Sequence, residues 1–342
     1  MMKSMIFAIV SSLGIYANGW AVDTTNNKEL VSSMDLAVLN AEDKTSNPEA
    51  QFNLGLSLKN INNNEAFKWF QKAAEQGLAK AQFELGLMYA MGKGADQDDV
   101  LAFKWFQKAA EQGFADAQLH LGIMYLREDI AQENVLAFRW FLKAAIQGNA
   151  GAQFYLGLMY TESKGIAHDD KEAAIWYRKS AEQGFQLAQL KLGEMFAYGY
   201  GVPRDDVKAF EWYSKAAEQG NANAQFSLGM MYGLGAGVTR DDVKAFNWNR
   251  KAAEQNNAAA QNNLGDMYEK GTGVVQDYAQ AMIWYKKSAD QGFALAYAGV
   301  GDLYLYGEGV PKDIIEAQGW YLKAVLYGYE LTSEDKENLK IK

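Results

Sequence analysis

The chain has 342 residues, 49% apolar and 13% aromatic, with three prolines and thirty-two glycines; that is enough apolar material for a large core and excludes disorder over most of its length. A formal net charge of −9 and a pI near 5.0 exclude the basic field of a nucleic-acid binder and any attraction to an anionic membrane surface. Cysteine is absent, so stability must come from packing without disulfides, and acylation on cysteine is impossible.

Taken from the amino end, "MMKSMIFAIVSSLGIYANGWAVDTT" places one lysine (Lys3) before an apolar run from Met5 to Ile15 and then small residues at Ala17, Gly19 and Ala21. This order predicts a secretory signal over 1–21 and therefore a periplasmic or secreted protein. The run is too short for a membrane anchor, which needs about twenty residues, so no membrane insertion is expected after cleavage. No Asn-x-Ser/Thr sequon occurs, which favours a bacterial periplasm over a eukaryotic secretory route. Residues 22–47 read as an amino-terminal capping segment, with an amphipathic helix predicted over 28–42 and Pro48 suited to the first turn of the next.

From residue 48 the chain repeats itself. "AFKWFQKAAEQG" stands at 66–77 and again, letter for letter, at 102–113. Tryptophan recurs at Trp69, Trp105, Trp140, Trp176, Trp212, Trp248, Trp284 and Trp320, and the phrase Ala-Gln-x-x-Leu-Gly keeps step with it from "AQFELG" (81–86) to "AQNNLG" (260–265). Such a period marks a stacked array whose units cannot bury their apolar faces alone. Each unit divides into two amphipathic stretches, about 81–91 and 99–112 in the second copy. Loops such as "GYGVPRDD" (199–206) join them, with glycine predicted to stop the first helix and aspartate to cap the second. Gln-Gly ends the second helix in most copies; Asn256 stands there in the sixth and should take the same left-handed conformation.

The recurring "AQxxLGxMYxxGxGVxxD" followed by "KAxxWYxKAAEQG", over about residues 50–328, resembles the Sel-like repeat, a cousin of the tetratricopeptide repeat. The resemblance implies an all-α fold, a right-handed α/α superhelical solenoid of about eight 36-residue helix pairs over 48–328, acting as an adaptor for other proteins. In exported bacterial members it implies roles at the cell envelope or host contact. Residues 329–342 read as a carboxyl-terminal capping tail, with Ser333 expected to cap a closing helix over 334–341.

The copies serve as one another's comparison set. With the Ala of Ala-Gln as position zero and 100° per residue, the letters that recur lie on one side of the first helix and those that vary on the other. The recurring side carries a mid-helix glycine in every unit, expected where a neighbouring helix crosses closely. The varying side offers candidate partner-binding residues: Phe83, Glu84, Leu87 and Met91; His120, Ile123 and Arg127, with Leu119; Phe154, Tyr155, Leu158 and Glu162; Lys191, Glu194 and Tyr198, with Leu190; Phe226, Met230 and Leu234. By resemblance these line the concave inside of the superhelix, greasy in the middle and acidic toward Asp266 and Asp302. Positions +2 and +6 read equally well as a packing seam between first helices. Phe83, Phe154, Tyr155 and Phe226 are the expected aromatic anchors for a protein or peptide partner.

Other chemistry finds less support. The Asp-Asp pairs sit where helices begin and read as caps rather than metal ligands; His120 and His168, in different units, lack a second ligand at metal spacing; no cofactor is expected. A cysteine-rich branch of the resembled family is associated with β-lactams, and Ser333–Lys336 spells Ser-x-x-Lys, so an envelope enzyme or binder of the β-lactam or muropeptide kind is the alternative to a non-enzymatic adaptor. Asn249, Asn256, Asn257, Asn262 and Asn263 gather where the sixth unit meets the seventh and predict a weak junction there.

Overall fold

The computed structural model describes residues 46–127 and 133–340, so the expected signal, the helix over 28–42 and part of the third unit's loop lie outside the described residues. Every regular element among the described residues is an α-helix, and none is long and apolar enough to cross a membrane. The chain divides into two compact units, one ending at Gln97 and the other beginning at Asp98.

The first unit holds α1 (Pro48–Leu58), α2 (Asn63–Glu75) and α3 (Ala79–Met91), with α2 packed against both neighbours. Pro48 occupies the first turn of α1, where its missing N–H costs nothing, and the Asn47 side chain caps it by accepting from the Glu49 N–H.

The second unit begins with α4 (Asp99–Glu111) and continues through α5 (Ala115–Tyr125), α6 (Asn134–Ile146), α7 (Ala150–Glu162), α8 (Asp170–Glu182), α9 (Gln186–Tyr198) and α10 (Asp206–Glu218). It goes on with α11 (Ala222–Leu234), α12 (Asp242–Glu254), α13 (Ala258–Lys270), α14 (Tyr278–Ala289), α15 (Ala294–Tyr306), α16 (Ile314–Leu326) and the short α17 (Ser333–Asn338). From α4 to α16 each helix packs on the next in the chain, which makes an α/α solenoid of helix pairs.

Helix ends follow the predicted chemistry. Asp98, Asp169, Asp205, Asp241, Asp277 and Asp313 each accept backbone N–H groups at the start of a second helix, so the first member of each Asp-Asp pair is the cap and the next residue opens the helix. Asn256 has φ +69°, as expected of the residue replacing glycine. The second glycine of each loop meets a steric demand: a Cβ on Gly201 would lie 2.1 Å from the Asp170 carbonyl oxygen, so the loop between α9 and α10 rests directly on the start of α8. The closing helix differs from expectation. It is shorter, and Thr332 rather than Ser333 caps it, because Asp335 reaches back to the Thr332 N–H while Thr332 accepts from the Asp335 N–H.

Candidate functional site

The recurring side of the first helices is interior. Its alanine, leucine and glycine positions are buried in every unit from α3 to α13, and Gly122, Gly157, Gly193 and Gly265 lie under aromatic rings of the paired second helix, whereas Gly229 meets Asn249. The glutamine of Ala-Gln is buried with them. In α9, Gln189 Nε2 donates to the Ala181 carbonyl of α8 (3.2 Å) while its Oε1 accepts from Gln219 at the end of α10 (2.7 Å). The same two bonds recur at Gln118, Gln153, Gln225 and Gln261, so in these five first helices one side chain ties the helix to the second helices on both sides. All eight repeat tryptophans carry the ammonium of the lysine three residues on, 4.0–4.2 Å from the ring centroid, and seven of them are only half-buried.

The varying side separates into three rows. At +2, Leu119, Phe154 and Leu190 are buried, while Phe83 and Phe226 are half-buried, so most of this row is the packing seam. Phe154 is 6% exposed and touches the rings of Tyr155, Tyr177 and Phe185. Tyr155, also 6% exposed, stacks on Phe141 of the preceding unit at 4.9 Å and 6°, and burial raises its phenol to about 12. Ile123 is buried too. These three, expected as partner contacts, are core instead: Tyr155 packs on the preceding unit, Phe154 on rings of its own unit, and Ile123 joins the same apolar cluster. His120 is half-buried, its Nδ1 2.9 Å from the Asp116 carbonyl and its ring beside Phe106; burial lowers its pKa and keeps it neutral at pH 7.

Outward residues hold the rest. In the first unit Phe83, Glu84, Leu87 and Met91 are half-buried on α3, and Glu84 accepts from Lys59 at 2.6 Å. In the second, Arg127 lies beyond the end of α5 and pairs with Asp99 at 2.8 Å. Met230 is at the surface, and the +10 row is open: Glu162, Tyr198 (67% exposed), Leu234 and Tyr306 all face solvent.

Five of the predicted residues meet in one place. Leu158 and Glu162 of α7 and Lys191, Glu194 and Tyr198 of α9 line a cleft of about 390 Å³, together with Thr161, Asp170, Tyr177, Met195 and Tyr200. Lys191 pairs with Glu194 at 2.8 Å, Tyr177 and Thr161 hydroxyls lie 3.3 Å apart at the floor, and the rings of Tyr198 and Tyr200 stand 5.7 Å apart at the rim. Burial raises the Tyr177 phenol, so it remains protonated and able to donate. Three carboxylates and one ammonium line the cleft, and Lys164 just outside pairs with Glu162 at 2.5 Å, which leaves a surplus of one negative charge. Its volume suits a side chain or short peptide segment rather than a folded domain.

The acidic carboxyl end is built differently. Tyr285 donates to Glu269 (2.5 Å) and Tyr321 to Asp302 (2.7 Å), and burial raises both carboxyl groups above their ordinary values. Ser333 opens α17 exposed, with Lys336 exposed in the same helix.

Tyr200 and Asp170 were missed. Tyr200 lies between the two loop glycines, a slot holding Lys93, Ala236, Thr272 and Glu308 in other copies, so comparing copies through the loop as well as along the helix finds it. Asp170 was read only for its capping context.

The Sel1 repeat family matches eight consecutive segments, 48–78, 79–114, 115–149, 150–185, 186–221, 222–257, 258–293 and 294–326. Among solved structures, one similar to this chain is a protective antigen present in uropathogenic Escherichia coli strains displaying an SLR fold, with 35% identity and TM-score 0.80 over 89% of this chain and 66% of that one. This chain thus spans slightly less than two thirds of the antigen's length. A second is a Sel1 repeat protein from Oxalobacter formigenes, with 32% identity and TM-score 0.64 over 91% of this chain and 92% of that one. No protein of curated function matches the chain. Repeats of this kind are scaffolds for protein–protein interaction, and the chain belongs to the Sel1 repeat family.

Proposed function

We propose that the chain is an exported, non-enzymatic adaptor that holds a protein or peptide partner on the outward-facing part of its first helices, with the cleft between α7 and α9 at the centre. One observation carries this reading: five residues chosen because they vary between copies line a single cleft rimmed by two exposed tyrosines. Variation with exposure is what a binding surface needs, and tyrosine supplies large contact area at low entropic cost. The surplus of Glu162, Asp170 and Glu194 over Lys191 and Lys164 favours an extended peptide bearing a basic side chain. The leader-like amino end supports export, and the similarity to a protective antigen of uropathogenic strains supports a place at the cell envelope or host contact.

Capture of partners from periplasmic or host extract tests it, with wild type beside a Tyr198→Ala/Tyr200→Ala pair and an Arg178→Ala control on the second helix α8. Loss of a partner in the tyrosine pair alone, at about 1–2 kcal/mol or more per anchor, supports the cleft. Retention of every partner by the pair rejects it.

A further inference from the structure

The last repeat breaks a rule that the other seven keep. Four second-helix positions, five and one before the tryptophan and two and six after it, share one stripe of the helix. They read Asn64, Lys68, Gln71, Glu75 in the first unit and Val207, Glu211, Ser214, Glu218 in the fifth, and every unit through the seventh places at least one charge among them. In α16 they are Ile315, Gly319, Leu322 and Leu326, with none. Among the described residues nothing covers them: Ile315 is 81%, Leu322 63% and Leu326 76% exposed. A terminal unit ordinarily becomes more polar outside, because no neighbour shields it.

Gly319 is a second, independent anomaly. The other mid-helix glycines meet side chains where a Cβ would go, most of them aromatic rings, whereas a Cβ on Gly319 would meet nothing within 4 Å. Glycine weakens a helix interior, and here no contact among the described residues accounts for it.

We propose that this stripe seats a second copy of the chain, α16 against α16, antiparallel about a two-fold axis. The stripe is complementary to itself in that arrangement. Leu322 of each copy fills the notch at Gly319 of the other, and Ile315 meets Leu326 of the other copy. The flanks agree: Glu316 and Lys323, both exposed, lie on the same side of the stripe, and the antiparallel pairing sets Glu316 of each copy beside Lys323 of the other. A parallel pairing would set this flank against the opposite flank of the other copy, where Gln318 and Val325 offer no charge to either. This surface is separate from the cleft between α7 and α9, so a two-fold dimer presents two such clefts.

Sedimentation equilibrium on the purified full-length chain, from about 1 to 100 μM, tests the proposal. Wild type should dimerise in that range. Leu322→Glu/Leu326→Glu should weaken association at least about tenfold, and Gly319→Leu, which fills the notch, should do likewise, with helical circular dichroism unchanged. An Ile315→Glu/Leu326→Glu chain and an Ile315→Lys/Leu326→Lys chain should each be monomeric alone and should associate when mixed. Wild type that stays monomeric throughout overturns the proposal, including the case in which the stripe seats an unrelated protein. Association insensitive to all these changes also overturns it.

Discussion

Gly157 and the ring of Tyr177 claim the same space: a Cβ on Gly157 would lie 2.6 Å from Tyr177 Cδ1. The relationship recurs at Gly55 with Phe70, Gly122 with Phe141, Gly193 with Tyr213, Gly265 with Tyr285 and Gly301 with Tyr321. It explains why a poor helix former stands mid-helix in these six units. Burying a large side chain against the opposite backbone yields about 1.5–3 kcal/mol, which exceeds the roughly 1 kcal/mol lost in propensity.

Gly157→Ala should therefore destabilise by about 1–3 kcal/mol through overpacking, although alanine is the better helix former. Gly319→Ala, with open space around it, should stabilise the dilute protein by about 0.5–1 kcal/mol. Urea unfolding of the two variants side by side checks the sign of each.

The sixth unit is the exception, because Asn249 stands where the other units place Phe or Tyr, opposite Gly229. Asn249 is buried, its Nδ2 bonds to its own helix at Ala245, and its Oδ1 has no partner; nor has Asn262 Oδ1 in the next unit. The apolar core running from Leu119 to Met231 gives way here to a separate cluster beginning at Ala245. Asn249→Tyr should stabilise by about 1–3 kcal/mol, filling the ring site and removing an orphaned acceptor. Hydrogen exchange should show α11–α13 opening more readily than α7–α10 in the wild type, with the difference reduced in the variant.

Gln189→Glu places a carboxylate where an amide now donates to the Ala181 carbonyl. Two acceptors then face each other in a buried site, and about 1–3 kcal/mol should be lost at pH 7. Near pH 4 the loss should shrink, since the protonated acid can donate. Thermal unfolding at the two pH values reads this directly.

Asp302 and Glu269 have folded pKa values raised chiefly by burial. The native state therefore holds their protons more tightly than the unfolded chain, and their contribution to stability falls as pH rises from the ordinary carboxylate range through the raised values. Asp302→Asn keeps an acceptor for Tyr321 without the buried charge, so it should raise the melting temperature at pH 7 and change it little at pH 4. Asp205 and Asp241 oppose the trend in wild type: backbone N–H groups of Lys208 and Lys244 lower their pKa values, and that stability disappears as pH falls through the lowered values.

The architecture was legible because repetition separates packing from everything else. Caps at Asp98 and Asp169, the left-handed turn at Asn256 and the close approach at Gly157 each follow from a residue type recurring, or being replaced by its nearest physical equivalent, at one place in the period. The closing cap at Thr332 was legible too, had the partner been considered: Asp335 stands three residues on from Thr332 and can complete a capping box, whereas Lys336, three on from Ser333, cannot.

The site was only half legible. Variation between copies marks residues freed from the shared contacts, but Phe154 and Tyr155 vary and are still buried, because they make contacts particular to this place: Tyr155 stacks on Phe141 of the preceding unit, and Phe154 leans on Tyr177 and Phe185 of its own. Glutamine ties such as Gln189 to Gln219 were legible only as a place on the recurring, packed side, since the carbonyl and amide that the side chain reaches belong to other helices and show only in space.

Site-specific photo-crosslinking tests the central claim most directly. With a benzophenone amino acid at Tyr198, Tyr200 or Leu234, and at Arg178 or Lys215 on the second helices, cells carrying the protein are irradiated and adducts compared. A partner adduct is expected from Tyr198 and Tyr200 and none from the second-helix positions. Adducts confined to Arg178 or Lys215 would contradict it.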